Sequence, residues 1–530
     1  MSASASKKRR KDLQQEGLSP RQVAAAKAKK EKKQHLKTVL LIVMAVVVSA
    51  GIIAGLIVFL NSRKYQPDYD VNTPVATVGD YEISVPMFNY YYIDAVSSYI
   101  NMYGSYLSYL STLDVSTSLD SQYQDEDNGV TWGDYFEDQA KETIQAYYNI
   151  YDDAVKNGFE LSDEDSDAVD TAVDAVKESA KAAGVASADR YLAKIYGIGC
   201  DLDSYREYCR IRQVVSSYYK QCDDAITFTA DEVTAKYEED PNAFDAINYS
   251  LYTVAAQDYV TEDETQETSA EDDTTETTEA EITEEAIDAA EEAAKAAAED
   301  FPLKDAQLKS DGFDAVKSTI SEDAQSWMFD TARKEGDVSY FYNETAKTYY
   351  VVRYENRDTH DYKPANAYII NIPFDTDTED DAETEEAEAT QTAEEKFNAV
   401  CDALTDAMTD EEFSQPGTTY GTSYSGITND IIHGAYDDEI NDWLFDSARK
   451  AGDTQSFTTD TGYFVVRFSS LNDNTYCYKM VEDTMHSEAS DEWYHEVTEK
   501  LTATMDDNMK GYINSDITPN VLFNLSSTAE

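Results

Sequence analysis

Residues 327–354 and 443–468 carry the same pattern twice, and a chain that repeats so long a stretch is built from a module present in two copies. The first copy reads Trp327-Met328-Phe329-Asp330-Thr331-Ala332-Arg333-Lys334-Glu335-Gly336-Asp337 and closes in Tyr349-Tyr350-Val351-Val352-Arg353-Tyr354. The second reads Trp443-Leu444-Phe445-Asp446-Ser447-Ala448-Arg449-Lys450-Ala451-Gly452-Asp453 and closes in Tyr463-Phe464-Val465-Val466-Arg467-Phe468. The offset falls from 116 to 114 residues along the cassette, so two residues are lost in the loop between its halves. Each copy predicts a helix ending in Ala-Arg-Lys, a Gly-Asp turn and a β-hairpin closing in Val-Val-Arg-aromatic. The valines belong in the core and the Arg faces water. Trp327 and Trp443 open the two equivalent helices and are expected as core anchors rather than ligand contacts.

A strand precedes each cassette, Ile247–Val254 in one module and Tyr368–Ile372 in the other, and an acidic insert follows each strand. Residues 258–300 hold 18 acidic residues and one Lys, and residues 375–395 hold 11 acidic residues and no basic one. The Thr/Glu/Asp-rich half of the first insert is expected to be disordered, and Glu284–Glu299 to be helical. Asp375-Thr376-Asp377-Thr378-Glu379-Asp380 begins like a Ca²⁺ loop but lacks the Gly at its sixth position, so the inserts are expected to be solvated negative loops. The modules span 245–358 and 364–472.

Charge is distributed unevenly around these modules. The net charge is −63, yet residues 1–37 hold 12 Lys/Arg against 3 Asp/Glu. Residues 38–60 carry no charge and almost no polar side chain, a length that spans a hydrocarbon core with some tilt. Without the +9 tail and the +2 of Arg63 and Lys64, residues 65–530 carry −74. The run is too long for the apolar part of a cleaved signal peptide, which is about 7–15 residues. The expectation is an uncleaved signal anchor at 38–60, with a basic cytoplasmic tail at 1–37, a tether at 61–74 and the bulk of the chain outside. Topology explains the basic tail without a nucleic-acid partner.

Residues 75–240 read as a mostly helical domain opened by a β-hairpin around Gly79-Asp80. Ser84 and the capping box at Thr229 are expected to start helices, and further helices start near Thr131 and after Ser162. A final helix over 487–512, within the segment 485–515, would present Trp493, Val497, Leu501, Met505 and Met509 as an i+4 stripe that packs on this domain. The tyrosines at 90, 91, 92, 99, 103, 106 and 109, above all Tyr91, Tyr92, Tyr99 and Tyr103, are candidate contacts for unfolded chains, because Tyr offers apolar area with a polar tip. The competing reading of the same residues is a half-buried helix face.

The five cysteines (Cys200, Cys209, Cys222, Cys401, Cys477) form no CxxC pair and no metal spacing. Nucleophile elbows, zincin motifs and P-loops are absent, and carboxylates are too abundant for any pair to be informative. The sequence therefore implies no cofactor and no metal.

The opening Val75-Ala76-Thr77-Val78-Gly79-Asp80-Tyr81-Glu82-Ile83-Ser84, the helix-then-strand passage Phe228 to Val254, and the closing Gly452-Asp453 … Thr461-Gly462-Tyr463-Phe464-Val465-Val466 together resemble the SurA/PrsA type of exported foldase with parvulin-like (PpiC-like) rotamase modules. The resemblance covers most of residues 75–515. It implies an α+β protein with a helical chaperone domain built from both ends of the chain, flanking compact βα modules. It also implies His on the first and closing strands of each active module. Here neither first strand contains His, and the closing-strand positions are Tyr350 and Phe464. His35, His360, His433, His486 and His495 fit neither place.

The expected function is accordingly a membrane-anchored extracytoplasmic chaperone whose parvulin-like modules are catalytically degenerate. Its partners would be newly exported or unfolded polypeptides, with the lipid bilayer contacted through 38–60. An active peptidyl-prolyl isomerase with an altered pocket is one alternative, since prolyl rotation needs a desolvating pocket rather than covalent chemistry. An extracellular scaffold that recruits one cell-envelope partner is the other.

Overall fold

The computed structural model describes residues 70–71, 73–107, 111–260, 282–374, 392–404, 408–420 and 426–519. The basic tail, the apolar run 38–60, most of the tether, the first half of the first insert and most of the second lie outside the described residues. Among the described residues no helix is long and apolar enough to cross a membrane. Among the described residues the fold is mixed α+β with four small sheets, and they divide into two compact units. One unit draws on residues 70–227 and 486–519, the other on 228–485.

The first unit opens with the hairpin β1 (Pro74–Val78) and β2 (Tyr81–Ser84). Gly79 turns it at φ +57°, a conformation that favours glycine, and a Cβ there would crowd Leu501 Cδ1 at 3.0 Å. Ser84 Oγ accepts from the Met87 N–H and starts helix α1 (Val85–Tyr103). The small hairpin of β3 (Tyr123–Asp125) and β4 (Val130–Thr131) leads into α2 (Trp132–Lys156). Helices α3 (Asp163–Ala182), α4 (Ala188–Ile195) and α5 (Leu202–Asp224) follow. Capping boxes at Thr131/Asp134, Ser162/Asp165 and Asp201/Ser204 begin α2, α3 and α5. Helix α1 lies against both α2 and α5, and one ion pair is sunk in this core: Arg212, 4 % exposed, meets Asp94 and the Tyr208 hydroxyl.

The second unit begins with α6 (Ala230–Glu239) and then runs through the duplicated modules. The first contains β5 (Ala246–Ala255), α7 (Glu284–Glu299), β6 (Gln307–Gly312), α8 (Phe313–Thr319), α9 (Glu322–Met328), β7 (Val338–Asn343) and β8 (Thr348–Asp358). The second contains β9 (Ala365–Pro373), α10 (Ala393–Ala403), α11 (Asp410–Thr419), β10 (Ile427–Ile431), α12 (Asp438–Leu444), β11 (Thr454–Thr458) and β12 (Gly462–Leu471). The antiparallel sheets have the same order, β6-β5-β8-β7 and β10-β9-β12-β11. Val352 and Val466 face one apolar cluster in each module while Val351 and Val465 face another, so both sides of the closing strand are covered.

The copies agree down to single hydrogen bonds. Asp330 Oδ1 accepts from Ala332 N and Asp337 Oδ2 from Lys334 N; Asp446 and Asp453 do the same for Ala448 and Lys450. Arg333 lies over Trp327 at 4.7 Å and Arg449 over Trp443 at 4.5 Å. Gly336 and Gly452, at φ +87° and +92°, each donate to the closing strand, to Tyr354 O and Phe468 O. The Ala-Arg-Lys segment is therefore a turn: the helices end at Met328 and Leu444, because the aspartates cap backbone N–H groups that a continuing helix would use. Trp327 and Trp443 correspondingly close their helices rather than open them.

The strand arginines also depart from expectation. Arg353 is partly exposed and meets Glu355. Arg467 is buried, with Nε 2.8 Å from Asp410 Oδ1, Nη1 2.7 Å from Gly452 O and Nη2 2.8 Å from Met408 O. The difference arises because α11 begins at Asp410 beside Arg467, and the contacts of Arg353 include no such acidic helix start.

The last helix, α13 (Tyr476–Thr498), begins earlier and stops sooner than the apolar stripe suggests. Its residues through Met485 belong to the second unit and those from His486 to the first. Leu501, Met505 and Met509 lie beyond it, although they join Trp493 and Val497 against the same apolar core. Strand β13 (Ala503–Met505) instead pairs antiparallel with β1. The open edge of β1 offers backbone partners there, and Thr502 and Thr504 favour extended chain.

A buried Asn secures this closure. Asn149 Nδ2 donates to Thr498 O at 3.0 Å and Leu501 O at 2.8 Å, and its Oδ1 accepts from Leu501 N at 2.8 Å. Gln145 Oε1 accepts from Ala503 N at 2.9 Å. Asn149→Ala strands a buried N–H and two carbonyls, so it should destabilise the first unit by about 2–4 kcal/mol. Urea unfolding followed at Trp132 and Trp493 measures this, and an unchanged midpoint would show that the clasp carries no stability.

Candidate functional site

Helix α1 was the expected aromatic surface, and the structure divides its tyrosines. Tyr91 and Tyr92 are 2 % and 0 % exposed, so no client chain reaches them in this fold. The reason is geometric: side chains on a helix advance about 100° per residue, so Tyr90, Tyr91 and Tyr92 point in three directions, and a helix enclosed by its neighbours buries all of them. Tyr91 packs edge-on against Tyr147 and Tyr208, and Tyr92 against Phe136. Burial pushes both hydroxyls far above the ordinary tyrosine range, and neither has a hydrogen-bond partner.

Tyr99 and Tyr103 differ. Both are partly buried, with ring centroids 4.7 Å apart, and Tyr99 packs on Trp132, Tyr135 and Phe136. Met102 and Tyr106, beside them in sequence, are 69 % and 66 % exposed. The exposed side chains therefore lie at the C-terminal end of α1 and in the turn after it; Tyr106 belonged to the expected set, and Met102 and Tyr135 did not. The signal available for Met102 was its i+3 spacing from Tyr99 on the helix.

In the modules, the first and closing strands are hydrogen-bonded neighbours, which brings Tyr350 opposite Thr253 and Phe464 opposite Asn371. Tyr350 packs beside Trp327 and Phe341 on the α8–α9 side of the sheet. Phe464 is buried with Phe457 and Trp443, with Tyr436 edge-on at 6.1 Å. Asn371 Oδ1 is shielded and has no hydrogen-bond partner. These positions supply packing area, with the Tyr350 phenol in one module and the Phe464 ring in the other where the resemblance implies an imidazole.

Two histidines instead join the inter-module linker to the second module. The His433 ring stacks on Tyr362 at 3.7 Å and 8°, and Phe445 meets it edge-on at 4.1 Å. The His433 N–H donates to the Tyr362 hydroxyl. His360 is buried in the left-handed region at φ +55°, its N–H held by Asp358, and its ring packs against Tyr476. Asp358 Oδ2 is 3.3 Å from His360 Nδ1 but out of line for a hydrogen bond. Sequence spacing gave no signal for this cluster, since it joins residues 360, 433 and 476.

A cleft of about 330 Å³ lies between α6, linker residues Thr359 and Asp361, and the start of α13, with Val233, Tyr237, Cys477 and Val481 among its walls. Burial raises the Cys477 thiol to about 11, which disfavours the reactive thiolate. All five cysteines are free, and among the described residues no group of three or more His, Cys, Asp or Glu could hold a metal ion. No protein-family model and no curated protein matches the chain.

Burial holds His433 below the usual histidine range, with Asp358 and Asp442 pulling it up and His360 pushing it further down. As pH falls below about 6.5 the unfolded chain takes up a proton that the native ring refuses, so this group's contribution to stability falls. His433→Phe keeps an aromatic ring on Tyr362 and removes the titration. The loss of stability between pH 7.5 and 5.5, read as the urea midpoint of the second unit, should be smaller in this variant than in the parent chain.

Proposed function

We propose that the chain is a membrane-anchored extracytoplasmic folding factor that holds newly exported or unfolded polypeptides, with parvulin-like modules that bind and organise rather than catalyse. The observation that carries this reading is the discontinuous first unit: both ends of the chain build it, and the duplicated modules sit between them in sequence. That is the organisation the SurA/PrsA resemblance implies. The exposed Met102 and Tyr106, beside the half-buried Tyr99 and Tyr103 in sequence, support it, because exposed aromatic and thioether groups suit promiscuous apolar contact. The basic tail and apolar run support an anchor at 38–60 with the acidic bulk of the chain outside.

The reading separates into two measurements. The full-length chain in nanodiscs, at stoichiometric amounts, should suppress aggregation of unrelated proteins diluted from denaturant, and no suppression at excess would overturn it. In proline-limited refolding the same sample should leave the slow phase unchanged. Acceleration at catalytic amounts would show that the pockets around Tyr350 and Phe464 work without histidine.

A further inference from the structure

Each module's sheet has two edges, and the sequence treats them differently. Edge strand β6 carries Lys309 and Asp311. Edge strand β10 carries Asp430, in the left-handed region at φ +58°, and a register shift between Thr428 and Ile431. Charges and bulges of this kind keep foreign strands from pairing. The opposite edges have neither: β7 reads Val338-Ser339-Tyr340-Phe341-Tyr342-Asn343 and β11 reads Thr454-Gln455-Ser456-Phe457-Thr458, with no charge, no Pro and an unbroken register to the neighbouring strand.

The phase of these edges follows from the turns. Tyr354 N donates to Asp337 O, and Phe468 N to Asp453 O. Alternation in an antiparallel ladder then turns the backbone of Ser339, Phe341 and Asn343 toward β8, and of Gln455 and Phe457 toward β12. The N–H and C=O groups of Val338, Tyr340 and Tyr342, and of Thr454, Ser456 and Thr458, point outward. Among the described residues no hydrogen bond reaches them. Both copies present the open edge at the same place and in the same phase.

We propose that β7 and β11 are docking edges, to which an extended, neutral-to-basic segment of a client polypeptide adds as a further antiparallel or parallel strand. Charge selects this occupant. A second copy of a chain with net charge −63, or the chain's own acidic inserts, would bring like charge to edges bordered by Glu344 and Asp460, with Glu291 at the Tyr340 hydroxyl. A cationic or uncharged segment meets no such repulsion. This inference rests on the folding-factor reading and gives the degenerate modules a task that needs no histidine.

The probe is a peptide of about ten residues, alternating Thr with Val or Tyr and flanked by Lys pairs, added to the full-length chain in nanodiscs. Hydrogen exchange should show the amides of Val338, Tyr340, Tyr342, Thr454, Ser456 and Thr458 exchanging fast in the free chain and slowing with peptide bound. N-methylation of alternate peptide residues, in the phase that faces the edge, should weaken binding by about tenfold or more, and methylation in the other phase should not. Ser456→Pro, which removes an outward donor and no ladder bond, should abolish protection on β11 alone. Equal binding of both methylated peptides, protection confined to Tyr99–Tyr106, or no binding at all would overturn the proposal. Aggregation suppression that persists without edge protection would leave the folding-factor reading standing and remove only this inference.

Discussion

The closure of the first unit depends on one amide side chain. Asn149 sits in the middle of α2 and bonds to the backbone at Thr498 and Leu501, where the chain leaves α13 and turns to add β13 to β1. A buried amide satisfied on both its donor and acceptor sides specifies one register, since any slip leaves polar groups unpaired in an apolar core. The helical unit therefore remains incomplete until the last part of the chain arrives. In sequence, everything between residues 228 and 485 is an insertion into it.

Duplication has kept the turn chemistry and released the surroundings. The Asp-capped turn, the Arg over Trp and the glycine that meets the closing strand recur in both copies, because each solves a local problem within fewer than twenty residues. Arg353 and Arg467 occupy equivalent strand positions with different fates, one paired beside it on the strand and the other buried on Asp410. What differs is the helix each module places over that side of its sheet, and its first acidic residue is 57 positions away from Arg467 in sequence.

Uncharged open edges are a hazard in a soluble domain, because they template pairing between copies. This chain carries enough negative charge for copies to repel one another, and that repulsion permits edges that a neutral protein would have to protect. If β7 and β11 are the docking edges proposed above, the chain's negative charge would oppose pairing between copies while leaving neutral and cationic strands free to pair.

The sequence by itself determined what local chemistry decides. The repeat, the caps at Ser84 and Thr229, the helix starts near Thr131 and Ser162, the hairpin at Gly79 and the helix at Glu284–Glu299 were all legible, since each depends on neighbours a few residues apart. Apolar spacing also marked Leu501, Met505 and Met509 as core-facing, though not the strand that carries them. Only the tertiary structure decided which tyrosines of α1 stay accessible, which strand Arg is buried, and that His360 and His433 meet near Tyr362. Those outcomes depend on what covers each face, and the covering residues lie tens to hundreds of positions away, where local spacing carries no information.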